Sequence, residues 1–196
     1  MNTTSENLAG IPIALFENAK DWESWLKENY AEPTGRWLKI AKKASGKASV
    51  SYLEALDVAL CYGWIDGQKQ SYDAEYFLQK FTPRRPRSIW SKVNVENIAR
   101  LSAAGLMQAP GLAAVEAAKA DGRWDQAYDS SRTMEVPEEF RLALDAHPKA
   151  KAFFATLNKT NTYAILWRIQ TAKKPETRAA RIESLIAMLE AGEKLH

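Results

Sequence analysis

Residues 37–67, WLKIAKKASGKASVSYLEALDVALCYGWIDG, change their hydrophobic period twice, and that change decides the fold. In WLKIAKK, Leu38 and Ile40 alternate with Trp37 and Lys39, the two-residue period of a strand. ASGKAS turns the chain. SYLE has the form of a capping box, Ser51 bonding forward and Glu54 reaching back, and Leu53, Leu56 and Leu60 continue as a helical stripe that Gly63 ends. WIDGQKQSY and EYFLQKFTPR are extended, aromatic-rich runs on either side of Tyr72-Asp73-Ala74. They predict an antiparallel hairpin beside the first strand, closed off by Pro83 and Pro86.

Outward from this stretch the pattern becomes helical. NAKDWESWLKENY places Trp22, Trp25, Leu26 and Tyr30 on one helix face, with Asn18 as the candidate N-cap. From Asn94 on, Val95, Ile98 and Leu101 run to Gly105, and Leu112, Val115 and Ala118 follow Pro110 and run to Gly122. Residues 122–137 have no clear period and read as a connection. PEEFRLALDAH, PKAKAFFATL, TYAILWRIQTA and PETRAARIESLIAMLEAG are each helical, the last with Ile182, Leu185, Ile186 and Leu189 on one face. The expected class is α+β: a small antiparallel sheet packed with helices over 1–122, a connecting segment over 123–136, and a helical C-terminal subdomain over 137–196.

With 196 residues the chain can bury a proper core without staples. Its one cysteine, Cys61, lies within an apolar helical pattern and reads as a small buried hydrophobe in a reducing compartment. IPIALF is too short and too little preceded by positive charge to be a signal peptide, and no apolar run approaches the roughly 20 residues of a membrane span. A cytoplasmic protein is expected. ASGKAS lacks both the upstream glycine and the hydroxyl residue of a nucleotide-phosphate loop, since Ala41 and Ala48 stand there. His147 and His196 have no companions at metal-ligand spacing, and the same scarcity argues against a histidine-based nucleophile relay. No metal or cofactor is expected.

The net charge of +3 hides two basic windows. Between Glu32 and Glu54 stand Arg36, Lys39, Lys42, Lys43 and Lys47 with no acid. Between Glu75 and Glu96 stand Lys80, Arg84, Arg85, Arg87 and Lys92, again with none. If the fold joins the windows, one positive face results. The first reads as solvated surface. The second, TPRRPRSIWSKVN over 82–94, is stiffened by its prolines, so its guanidinium groups are presented at lower entropic cost.

GWIDGQ (63–68) and FTPRRPRSIWSKVN (81–94) together resemble the YdeI/OmpD-associated family, also described as bacteriocin-protection proteins. WLKIAKKASGKASVSYLEALDVALCYGWIDG, LSAAGLMQAPGLAAVEAAKADGRW (101–124) and AKKPETRAARIE (172–183) extend the resemblance in order over nearly the whole chain. It implies an α+β domain with a helical C-terminal extension and a broad role in envelope or antimicrobial-peptide stress. It implies no established reaction and no cofactor.

The residues themselves point to an anion. Ser88, Ser91 or Asn94 could cap the helix that starts after Trp90, where unpaired amides and a partial positive charge accumulate, and the upstream arginines add to that field. Trp64 or Trp90 could offer a flat face. The candidate ligand-binding set is Trp64, Asp66, Arg84, Arg85, Arg87, Trp90, Ser91 and Asn94. The first reading is a binding module for an anionic small molecule or envelope-derived ligand. The alternative is an enzyme acting on a phosphorylated or carboxylated substrate with Asp66 as acid or base, against the plainer role of Asp66 as a partner that orients an arginine. Nucleic-acid binding stands third, because the near-neutral total charge does not suit it. In AKKPETRAARIE, Lys173, Lys174, Arg178 and Arg181 read as a solvated face, with Arg178 and Arg181 as possible contributors to the site if they face the hairpin.

Overall fold

The alternation of residues 36–41 and the paired runs after Gly63 are realised as the centre and edge of a five-stranded sheet. The computed structural model describes residues 6–196. It runs β1 (Asn7–Leu8), β2 (Ile11–Ala14), α1 (Ala19–Asn29), β3 (Arg36–Ala41), α2 (Tyr52–Cys61), β4 (Trp64–Ser71) and β5 (Tyr76–Pro83). Then come α3 (Lys92–Ala103), α4 (Ala109–Ala120), α5 (Glu138–Ala146), α6 (Pro148–Phe154), α7 (Lys159–Gln170) and α8 (Pro175–Glu190). The strand order is β1-β2-β3-β5-β4, with β2 and β3 parallel and the other neighbours antiparallel. The fold is α+β with a helical C-terminal part.

Two local signals read from the residues are present as three hydrogen bonds. The Asn18 side chain accepts from the Asp21 amide at 3.0 Å. Ser51 Oγ accepts from the Glu54 amide, and Glu54 accepts from the Ser51 amide, so the capping box is complete. Such a cap is worth about 1 kcal/mol. The buried face of α2 keeps Leu56 and Leu60 of the expected leucine stripe and adds Ala55 and Ala59, while Leu53 in the first turn is 70% exposed. Small residues set that face because α2 packs closely on α1, β4 and α4, and a helix can approach its neighbours only where its side chains are short.

Residues 7–14 add two strands that the sequence pattern does not announce. Ala9 and Gly10 both have positive φ, 51° and 77°, between the paired Leu8 and Ile11, which makes the two-residue loop whose twist suits a hairpin. Pro12 hides the strand period, yet it sits opposite Asn7, where the missing N–H is tolerated at a short edge.

The described residues divide into two compact units, 6–90 with 94–126, and 91–93 with 127–196. The first has an aromatic core. Trp22 stacks on Trp25 at 5.3 Å and 7°, Trp64 meets both edge-on at 6.0 and 5.8 Å, and Phe16 and Phe81 close the cluster. Their polar ends are satisfied: Trp22 Nε1 donates to the Ala55 carbonyl at 3.1 Å and Trp64 Nε1 to the Tyr30 carbonyl at 2.7 Å. The second unit has a mainly aliphatic core, with Leu144, Ile165, Ile169, Leu185, Ile186 and Leu189 around Phe140. Each fully buried side chain of this size contributes about 2 kcal/mol. Cys61 is buried, and desolvation pushes its thiol up to about 11, so the thiolate is disfavoured. Among the described residues no helix is long and apolar enough to cross a membrane.

Candidate functional site

The two basic windows do meet, because β3 pairs with β5 along Arg36 to Ala41. Their side chains are largely engaged by neighbours. Lys39 pairs with Glu6 at 2.6 Å, Lys47 with Glu75 at 3.2 Å, and Lys42 Nζ donates to the Asp73 carbonyl at 2.5 Å. Arg36 lies 4.5 Å over Trp25 and Lys80 lies 5.9 Å over Trp37. Lys39 and Lys47 are thus neutralised by carboxylates, while Lys42, Arg36 and Lys80 keep their charge against a carbonyl or a ring.

The arginine turn after β5 is built differently. Arg84 lies flat on Trp90, its guanidinium carbon 3.5 Å from the ring centroid, and its Nη1 donates to the Ile89 carbonyl at 3.3 Å. The Arg84 amide donates to the Gly63 carbonyl, tying the turn to the start of β4. Ser88 Oγ accepts from the Arg85 amide at 3.1 Å, so Ser88 closes the turn and is not the cap of α3. Arg123, only 8% exposed, donates through Nη1 to the Ser88 carbonyl at 2.9 Å while its Nε is held on Asp121 at 2.7 Å. Trp90 also packs on Trp124 at 4.9 Å. This frame leaves Arg85 and Arg87 exposed, with no ion pair among the described residues.

The remaining candidates are distributed as follows. Trp64 is wholly buried, perpendicular to the stacked Trp22 and Trp25, so it offers no face to a ligand and belongs to the core. Trp90 is 1% exposed and serves as the platform beneath Arg84. Asp66 accepts from the Tyr52 hydroxyl at 2.9 Å, and neither Arg85 nor Arg87 pairs with it. Burial and the Asp66 carboxylate push the Tyr52 hydroxyl well above its ordinary value, which fixes it as the donor in this bond. Ser91 falls in the helical unit, where it forms an isolated parallel bridge with Tyr128. Asn94 lies inside the first turn of α3 and does not precede it. Arg178 pairs with Glu139 at 3.1 Å, and Arg181 donates to the Arg168 carbonyl, so both are engaged within the helical unit. His147, between α5 and α6, is 2.9 Å from Glu190 through Nδ1. Among the described residues no group of three or more His, Cys, Asp or Glu comes together to hold a metal.

Residues 14–114, just over half of the 196, match the family model described as a domain of unknown function (DUF8412). Residues 133–192 match the model described as bacteriocin-protection, YdeI or OmpD-associated. The chain belongs to the DUF8412 family and carries a YdeI/OmpD-associated segment. No curated protein and no solved structure matches it. The two matches divide the motifs: GWIDG, the arginine turn and SIWSKVN fall in the DUF8412 part, and AKKPETRAARIE falls in the YdeI/OmpD-associated part. The residues that the sequence reading misses are Asp121 and Arg123, in the DGRW of the stretch 101–124. A charged pair beside a tryptophan was visible there, but only the fold brings it under the turn at 84–90.

Proposed function

We propose that this DUF8412 protein is a binding module that captures an anionic ligand on its arginine turn, with Arg85 and Arg87 as the contacting residues and Arg84 as their anchor. The observation that carries the reading is the frame itself. Arg84 on Trp90, Ser88 on the Arg85 amide, and the buried Arg123 on the Ser88 carbonyl hold the backbone, so two unneutralised guanidinium groups are presented with little left to order. A planar guanidinium suits phosphate, carboxylate or sulfate oxygens in bidentate fashion. The bacteriocin-protection description of the C-terminal match supports a role in bacteriocin, antimicrobial-peptide or envelope stress resistance. Asp66 is assigned a structural role here, holding Tyr52, and not an acid–base role.

The test is calorimetric titration of the wild type and of an Arg85→Ala/Arg87→Ala double variant with pyrophosphate and with phosphatidylglycerol vesicles. Binding of either probe by the wild type, weakened about tenfold or more in a variant that melts at the same temperature, supports the reading. Wild type that binds neither, or a double variant that binds as well, contradicts it.

A further inference from the structure

Between α7 and α8 the helical unit leaves a hollow of about 530 Å³, within the usual range of small-ligand sites. Trp167, Arg168, Thr171, Thr177, Arg181 and Ser184 supply its chemistry, and Leu185 is its buried apolar floor. No carboxylate lines it. Arg168 and Arg181 form no ion pair among the described residues, whereas Arg178 and His147, at the larger groove between α5 and α8, are matched by Glu139 and Glu190.

The guanidinium of Arg181 is set in place by its own unit: Nη1 donates to the Arg168 carbonyl and approaches Thr171 Oγ1 at 3.4 Å. Its Nε and Nη2 have no partner among the described residues. The indole of Trp167 is held edge-to-face by Tyr128 at 5.9 Å and 86°, so the aromatic wall is also fixed. Two uncompensated guanidinium groups favour a carboxylate or phosphate, the Thr177 and Ser184 hydroxyls can donate to its remaining oxygens while Thr171 donates to the Trp167 carbonyl, and an indole beside a leucine favours a flat apolar ring. Each feature alone is common on a helical surface. Their meeting in one acid-free hollow selects a ligand that is both aromatic and anionic.

We propose that the α7–α8 hollow binds a small aromatic anion, a ring of nucleobase or indole size bearing a phosphate or a carboxylate. This site lies in the YdeI/OmpD-associated segment and does not depend on the arginine turn. Titration of the intact protein with adenosine monophosphate and with indole-3-carboxylate, against adenosine and inorganic phosphate as half-ligands, tests it. The expected result is that one or both aromatic anions bind about tenfold or more tighter than either half-ligand. Which of the two binds separates a nucleotide source from an aromatic-acid source. Arg168→Glu, a change at an exposed position, and Trp167→Leu should each weaken that binding by about tenfold or more, whereas Arg85→Ala/Arg87→Ala should leave it unchanged. The proposal is overturned if neither aromatic anion binds at millimolar concentration or if inorganic phosphate binds the Arg85→Ala/Arg87→Ala variant as tightly as both do. It is equally overturned if binding survives Arg168→Glu but is lost in the arginine-turn variant, which would give the ligand to the first unit.

Discussion

The two units each carry a basic, proline-containing segment, TPRRPR in the first and KKPETRAAR in the second, and they hold their arginines by different contacts. In the first unit the structure consumes Arg84 and Arg123 as framework, by stacking on Trp90 and by bonding to the Ser88 carbonyl, and leaves Arg85 and Arg87 outward. In the second, Arg178 is spent on Glu139, Arg181 is anchored through Nη1 on a main-chain carbonyl with its charge uncompensated, and Arg168, in α7, stays outward. The cores differ likewise: interlocked rings and close backbone contacts in one, aliphatic helix packing in the other. Clusters of arginine are therefore not sites in themselves. What each guanidinium touches decides whether it is scaffold or binding group.

The sharpest way to break the comparison is to damage one core and watch the other. Phe140→Ala removes a wholly buried ring from the helical unit and should cost about 4 kcal/mol. Thermal unfolding followed by amide exchange should show lost protection in residues 127–196 with protection retained in the sheet. In the first unit the vulnerable point is a glycine. A Cβ at Gly111 would stand 2.1 Å from the Cys61 carbonyl oxygen, so Gly111→Ala forces the start of α4 off the end of α2 and should cost about 3 kcal/mol. Chemical denaturation would measure that loss, and unchanged stability would contradict the close contact.

A smaller effect separates the units by pH. Asp129 accepts from Lys92 at 2.7 Å and from Gln170, and these bonds hold its carboxyl below the ordinary 3.8. A carboxylate stabilised in the folded state contributes above its unfolded pKa and loses that contribution as pH falls through the folded value. Stability linked to Asp129 should therefore be complete above about pH 4 and fade below it. Asp129→Asn should flatten that acid limb in the helical unit alone, as acid titration of its melting temperature would show. At the small end, Tyr52→Phe removes one half-buried hydrogen bond to Asp66 and should cost about 1 kcal/mol while leaving anion binding intact.

Much of the fold was legible because the signals were local. Asn18, Ser51 with Glu54, and the alternation at Leu38 and Ile40 each act within a few residues, and each is where its spacing puts it. β1 and β2 were not legible, since Pro12 interrupts the run and the strand exists only by pairing with β3. The site was half legible. The run of arginines marked the turn, but nothing in the sequence separates Arg84, flattened on Trp90, from Arg85 beside it. Trp64 and Trp90 look like platforms when read next to charged turns, and only three-dimensional packing shows that both are buried. Arg123 is far from the turn in sequence, and its carbonyl partner, Ser88, carries no side-chain signature of that bond.

The most direct test follows the arginines individually by nuclear magnetic resonance of their side-chain Nε–H groups during titration with pyrophosphate. The account predicts that Arg85 and Arg87 shift together and saturably, while Arg84 and Arg123, held on Trp90 and on Ser88, barely move. Uniform drift of all arginine signals, or no response at Arg85 and Arg87, would contradict it.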